Sequence, residues 1–286
     1  MNPDGVGVIS EIREFCLHDG PGVRTSVFFK GCPLRCLWCH NPELREPGRQ
    51  LLIHRALCTE CGACRKICPS PNSCRQCGRC AGVCPSGSRR MCGELFTPET
   101  AAERILRDRD ILLASGGGVT FTGGEVMLQA PFALALAEHL RGIPLALETC
   151  GYADEIAYRR LIGAADLVYQ DIKCMSAPLH RQLTGADNRI ILHNIAALKR
   201  SGKPYIIRIP LIPGMNDDPA ELSLAAEFLS ASPGKLIEVQ LLPYHAGGLS
   251  KMRSFGFPVP ETLPETDGTV PASAPEIFRR RGLPCR

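Results

Sequence analysis

Residues 27–43 read VFFKGCPLRCLWCHNPE, a short apolar run typical of a buried strand that leads directly into three cysteines. Five more apolar runs of this kind follow, at 119–122, 144–149, 167–172, 205–210 and 236–241. Segments with helical spacing lie between them, at 98–113, 130–141, 154–163, 190–201 and 219–230. Strands that alternate with helices predict a parallel sheet with right-handed crossovers. Six units are too few for an eight-stranded barrel, so we expect an α/β fold that is either an open partial barrel or a doubly wound sheet.

Residues 52–93 interrupt this alternation with Cys, Pro, Gly, Ser and Arg and with few apolar side chains. Such a segment cannot build a hydrophobic core of normal size, so we predict an inserted minidomain that folds around metal. The fold then begins in residues 1–51 and resumes in residues 94–256. Residues 257–286 are rich in proline, and we expect a tail that wraps the surface or is mobile.

Composition excludes several classes of protein. The 286 residues are 44% apolar and 22% charged, which argues against disorder over most of the length. The 33 basic and 29 acidic residues give a net charge of +4 without long like-charge blocks, so nucleic-acid binding has no support. No run approaches the roughly 18 apolar residues that span a bilayer, and the first twenty residues lack the apolar stretch of a secretory signal, so we expect none. We expect a cytoplasmic protein that does not bind membranes.

Cysteine is the unusual residue, with 16 in the chain. In a reducing cytoplasm, cysteines packed this densely indicate metal ligands rather than disulfides. Two C-x2-C-x2-C-x3-C-P runs follow one another, the bacterial ferredoxin arrangement for two [4Fe–4S] clusters in which each fourth cysteine ligates the other cluster. Cluster one would use Cys58, Cys61, Cys64 and Cys84, and cluster two would use Cys68, Cys74, Cys77 and Cys80. A pair of structural zinc sites is the alternative.

The earlier group, Cys32, Cys36 and Cys39, has no fourth cysteine at short range. Three thiolates can hold three irons of a [4Fe–4S] cube and leave the fourth iron open, and an open metal site is a reactive one. A zinc site completed by His40 is the alternative. The remaining cysteines fit no run and stay unassigned; they are Cys16, Cys92, Cys150, Cys174 and Cys285.

The segment 31–43, preceded by DGPGVRT at 19–25, resembles the radical S-adenosylmethionine (SAM) family. More narrowly, it is similar to glycyl-radical-enzyme activating enzymes of the pyruvate formate-lyase activase type, in the branch with a ferredoxin-type insertion. The resemblance implies a TIM-like partial (β/α)6 barrel with an inserted bis-[4Fe–4S] ferredoxin-like minidomain. It also implies that SAM is cleaved reductively at the open cluster to a 5′-deoxyadenosyl radical, which takes hydrogen from a backbone glycine of a partner enzyme.

The resemblance implies partners as well as chemistry. The protein substrate would be a glycyl radical enzyme, with choline, isethionate, glycerol or arylacetate lyases, dehydratases or decarboxylases as candidates. Flavodoxin or ferredoxin would donate electrons through the two auxiliary clusters, for which a structural or docking role is the alternative. No side chain need act as a general acid or base. We expect a monomer.

Later motifs resemble the family's SAM-binding positions. Gly123-Gly124-Glu125 ends a predicted strand and would meet the methionyl ammonium, although Val126 stands where the family commonly has proline. Asp171-Ile172-Lys173 resembles an Asp-x-Lys signature, whose outer residues face the same side of a strand; a surface ion pair is the alternative. Glu148 and Thr149 resemble an acid-threonine segment that helps to bind a monovalent cation. The expected cofactor-binding residues are Trp38, Cys39, His40, Gly123, Gly124, Glu125, Asp171, Ile172, Lys173, Arg208 and His245.

Two other functions stay open. The chain could be a radical SAM enzyme that acts on a small molecule or a peptide, although its extra cysteines lie early in the chain and not after the barrel. It could also be an electron carrier, although a carrier would not need the SAM-binding motifs.

Overall fold

The structure, a computed structural model, describes residues 5–286. Its strands are β1 Gly7–Cys16, β2 Arg24–Phe29, β3 Gln50–Ile53, β4 Arg89–Cys92, β5 Glu94–Phe96, β6 Gly118–Gly123, β7 Leu145–Thr149, β8 Leu167–Asp171, β9 Tyr205–Leu211 and β10 Leu236–Pro243. Its α-helices are α1 Ala63–Ile67, α2 Arg79–Gly82, α3 Pro98–Ile105, α4 Arg109–Ala114, α5 Ala130–His139, α6 Glu155–Ala164, α7 Ala177–Thr184, α8 Arg189–Arg200, α9 Pro219–Ser230, α10 Gly247–Phe255 and α11 Ala274–Arg279.

The main sheet has eight strands in the order β10-β9-β8-β7-β6-β2-β1-β5. Six strands, β2, β6, β7, β8, β9 and β10, are parallel and lie side by side in chain order, while β1 is antiparallel to both β2 and β5. The six predicted strands are the six parallel ones, which confirms an α/β fold with a mostly parallel sheet. The sequence did not predict β1, because Glu11 and Arg13 leave one side of this antiparallel strand in solvent.

The two faces of the sheet differ in character because successive side chains on a strand point to opposite sides. One face packs against the helices in the main hydrophobic core, where the Phe29 ring meets the Phe121 and Phe132 rings edge-on, with centroids 5.2 and 6.0 Å apart. The other face carries a small apolar layer, Ala146, Tyr169 and Ile206, and then polar side chains toward the strand ends. This second face leads to the candidate site.

The five predicted helices lie close to their expected positions, although one of them is interrupted, and α7 between β8 and β9 was not predicted. Thr97 begins α3 as its N-cap, accepting a hydrogen bond from Thr100 N at 3.3 Å, and proline occupies the first helical position. The predicted helix over 98–113 is interrupted by a 3-10 turn at Leu106–Asp108 and resumes as α4. Nothing in the sequence marks this interruption.

The C-terminal segment is packed against the sheet. The Phe278 side chain of α11 is fully buried, and Val239 N of β10 donates a hydrogen bond to Pro284 O at 2.8 Å. The chain end thereby forms a parallel bridge, Val239 with Cys285, on the outer edge of β10. Of the two arrangements expected for residues 257–286, wrapping the surface agrees with this packing, because a few irregularly spaced apolar residues suffice to anchor the segment.

The cysteine-rich insertion forms a unit beside the main sheet. Strands β3 and β4 pair antiparallel at its entry and exit, with Gln50 opposite Cys92 and Ile53 opposite Arg89. A 3-10 turn at Arg55–Leu57 and the short helices α1 and α2 lie between the two strands, and most of the insertion's side chains are exposed or half-buried. Within residues 5–286, no helix has the length and apolar character needed to cross a membrane.

Candidate active site

A cavity of about 300 Å³ opens at the carboxyl ends of the parallel strands, the edge where parallel α/β folds place their sites. Its walls come from the loop after β2 and from the ends of β6 through β10. Most of the expected site residues line it, namely Cys32, Cys36, Trp38, Cys39, His40, Gly123, Gly124, Asp171, Lys173, Arg208 and His245. Glu125 and Ile172 do not.

The three-cysteine loop is held by backbone hydrogen bonds from two sides. Cys32 N donates to Arg45 O at 3.0 Å, and Arg35 N donates to Thr184 O at the end of α7 at 2.7 Å. The three cysteines are half-buried and free, and burial raises the pKa of Cys36 to about 12. A metal that binds here must therefore displace the thiol proton, as metal sites built from cysteine require.

An ion pair at the end of β8 faces these thiols. Lys173 Nζ lies 2.7 Å from the Asp171 carboxylate. Burial lowers the pKa of Lys173, but Asp171 and the Cys36 and Cys150 sulfurs more than offset this, so its pKa is raised. Lys173 is therefore a fixed ammonium group in the cavity, and this pair is not the surface ion pair considered from the sequence.

A second ion pair lies on the neighbouring strands. Arg208 Nη1 of β9 is 2.5 Å from Glu148 Oε1 of β7, and Thr122 donates a hydrogen bond to Glu148 Oε2 at 2.7 Å. Burial raises the pKa of Glu148, and the charge of Arg208 opposes that shift. The guanidinium also stacks on the Tyr169 ring, 3.9 Å from its centroid. Arg208 is thus oriented by a carboxylate and a ring before any ligand arrives.

The two glycines of the Gly-Gly-Glu motif are required by a close approach of backbone. Gly123 has φ +116°, and a Cβ there would lie 2.5 Å from Phe29 N on β2. A Cβ on Gly124 would lie 2.2 Å from Gly31 O, immediately before Cys32. Both glycines line the cavity. A larger residue is excluded at these positions because its Cβ would collide with the backbone of β2 and of the residue that begins the cysteine loop.

Glu125 lies behind the cavity wall. Its carboxylate is fully buried and accepts hydrogen bonds from Met127 N at 3.1 Å, Thr149 Oγ1 at 2.7 Å and Cys150 N at 2.8 Å. Burial raises the pKa of Glu125, and these donors oppose the shift. In this structure Glu125 joins the ends of β6 and β7. Ile172 likewise packs in the main core, on the opposite side of the chain from Asp171 and Lys173.

Two histidines and a tryptophan also line the cavity. His40 Nε2 is 3.0 Å from His245 O, and the two rings are edge-on with centroids 6.0 Å apart. Trp38 is buried and packs in a second apolar cluster with Ile212 and Tyr244. The cavity wall thus combines thiols, charged groups and aromatic rings, a set that fits an amino-acid group joined to a nucleoside.

Residues 64–225 match the radical SAM superfamily. Over 88% of its length the chain is 40% identical to the trans-4-hydroxy-L-proline dehydratase activating enzyme of Clostridioides difficile, covering 87% of that protein. It is 38% identical to the choline trimethylamine-lyase activating enzyme of Oleidesulfovibrio alaskensis, again over 88% of both chains. The chain belongs to the radical SAM superfamily. The predicted relationship to the activating enzymes is confirmed, and neither alternative function is favoured.

A solved structure supports the fold alone. A radical SAM methyltransferase from Sphaerobacter thermophilus matches 97% of this chain and 76% of its own, with a TM-score of 0.55 and 16% identity. Membership of the superfamily implies a [4Fe–4S] cluster and SAM as cofactors.

The residues in the cavity fit these cofactors. Across residues 5–286, no three His, Cys, Asp or Glu side chains converge closely enough for one metal ion. A [4Fe–4S] cube instead takes each protein ligand on a separate iron, and three thiols spread along the wall of one cavity match that donor set. The charged pairs beside them provide both signs of charge for the amino and carboxylate groups of SAM.

The insertion contains a second, smaller cavity. Four of the residues that line it are Cys68, Cys74, Cys77 and Cys80, the four assigned to cluster two. The Arg89 guanidinium lies beside the thiols of Cys64 and Cys80, one from each predicted cluster. Hydrogen bonds from the Arg89 amide and from Ser86 lower the pKa of the Cys84 thiol.

Several cavity residues escaped prediction from the sequence, among them Asn41, Arg45, Thr122 and Cys150. Cys150 is buried, lines the main cavity and lies beside Cys32. Its position could have indicated it, since it follows directly on the predicted strand over 144–149 and so stands at the edge where the other site residues gather.

Proposed function

We propose that this chain activates a glycyl radical enzyme by generating a radical at a SAM-binding [4Fe–4S] cluster held by Cys32, Cys36 and Cys39. The observation that supports this most strongly is a single cavity whose wall contains all three thiols and the two ion pairs of β7, β8 and β9. When bound, the cluster and SAM together supply a 5′-deoxyadenosyl radical by one-electron cleavage of the sulfonium C–S bond.

In this proposal, the chain's own residues bind SAM and orient it. The Lys173 ammonium attracts the carboxylate of SAM, and Asp171 beside it accepts from hydroxyl or ammonium groups. Arg208 adds a second positive charge, and His245 and His40 flank the nucleoside end. Leu34 and Ile212 supply apolar wall that excludes water, which protects a reactive radical. No proton has to move, so no general acid or base is assigned.

The proposal extends to the rest of the chain. The six parallel strands curve as a partial barrel, so that a glycine-bearing loop of the partner can reach the cavity. Residues 52–93 hold two further [4Fe–4S] clusters, one by Cys58, Cys61, Cys64 and Cys84 and the other by Cys68, Cys74, Cys77 and Cys80. These clusters pass electrons from flavodoxin or ferredoxin. The second assignment is supported by the small cavity whose lining includes its four cysteines.

The partner we propose is a glycyl radical dehydratase or lyase, in line with the names of the relatives, and the setting is the cytoplasm. We propose no monovalent cation beside Glu148 and Thr149, because the Glu148 carboxylate already pairs with Arg208 and the Thr149 hydroxyl donates to Glu125.

The test is to reconstitute the protein anaerobically with iron and sulfide and to add reductant and SAM. We expect 5′-deoxyadenosine from the native chain and from the control Cys285→Ala, and none from Cys36→Ala. A native protein with full iron content that forms no 5′-deoxyadenosine would reject the proposal. With a dehydratase or lyase partner, electron paramagnetic resonance (EPR) should show a glycyl doublet. Nucleoside formation without a doublet in any partner would favour a small-molecule substrate.

A further inference from the structure

The cysteine-rich insertion differs from the rest of the chain in charge. Residues 52–93 contain seven Lys and Arg residues and one acidic residue, Glu60, which gives a net charge of +6. The whole chain has 33 basic and 29 acidic residues, so 26 basic and 28 acidic residues lie outside the insertion, with a net charge of −2. The positive charge of the molecule is therefore concentrated in the segment that the proposed function assigns to the auxiliary clusters.

The positive charges of the insertion have no ionic partner within residues 5–286. Outside the insertion, 14 of the 26 Lys and Arg side chains form a salt bridge, whereas none of the seven inside it does. Arg89 is half-buried, and the other six are exposed, namely Arg55, Arg65, Lys66, Arg75, Arg79 and Arg90. A surface with unpaired charges of one sign attracts partners of the opposite sign.

Four of the exposed charges lie among the cysteines assigned to the auxiliary clusters. Arg65 and Lys66 belong to α1, directly after Cys64, and Arg79 begins α2. Arg75 and Arg79 line the same small cavity as the four cysteines of cluster two. Cysteines of both predicted clusters are exposed, namely Cys58, Cys61, Cys74 and Cys77. Positive charge is thus concentrated where cluster-binding cysteines reach the surface.

Balancing the negative charge of bound clusters is another use of basic side chains. It fits Arg89, which is half-buried and lies beside the thiols of Cys64 and Cys80. The six exposed side chains are surrounded by water, which screens their interaction with the clusters. They are therefore available to a partner.

The composition of the insertion narrows the class of partner. A basic surface attracts either nucleic acid or an acidic protein. Residues 52–93 contain no Phe, Tyr or Trp, so the insertion has no aromatic ring on which a base could stack. Leu57, Ile67 and Val83 are instead exposed apolar side chains, which a protein partner can bury. Exposed cluster cysteines favour a protein that delivers electrons.

We propose that the insertion is the docking surface of an acidic protein that carries single electrons, attracted and oriented by Arg65, Lys66, Arg75 and Arg79. This inference rests on the proposed function. The carrier loses one electron and an auxiliary cluster gains it, with no bond made or broken. Complementary charge raises association rates by about 10- to 1,000-fold at low salt, so we expect the loss of these four charges to slow the reaction at least about tenfold.

The test is a stopped-flow measurement of cluster reduction in the reconstituted, full-length protein, with a reduced acidic flavodoxin as the probe. The test variant combines Arg65→Gln, Lys66→Gln, Arg75→Gln and Arg79→Gln. The matched control removes the same charge from exposed residues outside the insertion that pair with no acid among residues 5–286; it combines Arg107→Gln, Arg160→Gln, Arg200→Gln and Lys235→Gln. We expect the second-order rate constant to fall at least about tenfold in the test variant and less than about twofold in the control. Raising KCl from about 20 to about 500 mM should slow the native protein far more than the test variant.

A neutral small reductant, photoreduced deazariboflavin, separates docking from other effects. We expect it to reduce all three proteins at similar rates and to support formation of 5′-deoxyadenosine. Docking would be overturned by a native rate with flavodoxin in the test variant, by an equal loss in the control, or by an equal loss with deazariboflavin. Absence of 5′-deoxyadenosine from native protein reduced in this way would instead count against the proposed function.

Cross-linking tests the same surface without any variant. Lys66 is the only lysine of the insertion, and a carbodiimide joins an amine to a carboxylate as an amide while it takes up the water. With native protein and flavodoxin at low salt, we expect peptide mapping to find Lys66 joined to the carrier and the exposed Lys235 not joined. Absence of the Lys66 cross-link would contradict the proposal. Tighter binding of a single-stranded oligonucleotide than of flavodoxin at the same salt would replace it with a nucleic-acid surface.

Discussion

Replacing Glu125 by glutamine distinguishes between two roles for this residue, contact with the cofactor and support of the cavity wall from behind. The motif resemblance assigns Glu125 to the cofactor, whereas the structure buries its carboxylate behind the wall with three hydrogen-bond donors around it. A glutamine is the same size and can use its oxygen for the donors at Oε1, Met127 N and Thr149 Oγ1. Its NH₂ group then faces Cys150 N, so that a donor meets a donor.

The cost follows from that mismatch. One hydrogen bond to a charged group is lost, at about 1.5–3 kcal/mol, and a buried N–H is left unpaired at about 1–3 kcal/mol. We take about 3 kcal/mol as the expected loss. At roughly 2–4 °C per kcal/mol for a domain of this size, the thermal midpoint should fall by roughly 6–12 °C.

The assay measures both stability and ligand binding on anaerobically reconstituted protein. Differential scanning fluorimetry gives the midpoint, with Glu103→Gln on the exposed side of α3 as the matched control that should not shift. Isothermal titration with SAM, below the melting range, should give an affinity within about threefold of native, since a merely destabilised protein still binds. If Glu125→Gln keeps the native midpoint but loses SAM binding, the carboxylate touches the cofactor and our reasoning is refuted.

Three other changes have distinct expected outcomes. Cys77→Ala should leave the SAM-responsive EPR signal of the open cluster but slow SAM cleavage, whereas Cys36→Ala should remove both; loss of the signal in Cys77→Ala would show that the two sites fold together. Iron analysis should give about twelve irons per chain from three four-iron clusters, and about four would contradict the ferredoxin assignment. Phe278→Ala should lower the free energy of unfolding by about 3–5 kcal/mol, while Ile237→Ala, 48% exposed on β10, should change it by under about 0.5 kcal/mol; equal effects would refute the anchoring of the C-terminal segment.

The parallel part of the fold could be predicted because its strands are buried on both faces and therefore appear as continuous apolar runs. Residues 27–30 and 119–122 are such runs, and they overlap the central strands β2 and β6. Strand β1 could not be found in this way, since its alternating residues serve an antiparallel pair with one solvent face. The packing of Phe278 could not be predicted either, because a single buried ring produces no periodic pattern in the sequence.

The site was predictable where a residue type has few other uses. Three closely spaced cysteines, and a lysine two residues after an aspartate at a strand end, both proved to line the same cavity. Cys150 carried no spacing signal, because the contact with Cys32 joins positions far apart in the chain. The pairing of Arg208 with Glu148 is of the same kind, since it requires the order of β7, β8 and β9 in the sheet.

Ile172 and Glu125 show how far a motif determines the direction of a side chain. Ile172 N donates a hydrogen bond to Arg208 O at 2.9 Å, which continues the pairing of β8 with β9 one residue past its last residue, Asp171. Alternation therefore still places Asp171 and Lys173 on the cavity side and Ile172 in the core. Glu125 stands two residues beyond Gly123, the last residue of β6, where alternation no longer applies. Its orientation is decided by the donors of the β7 turn and by Gly31, which only the folded chain brings together. A short motif at a strand end thus predicts where a residue lies, while tertiary hydrogen bonds determine whether it faces the ligand or supports the loop that does.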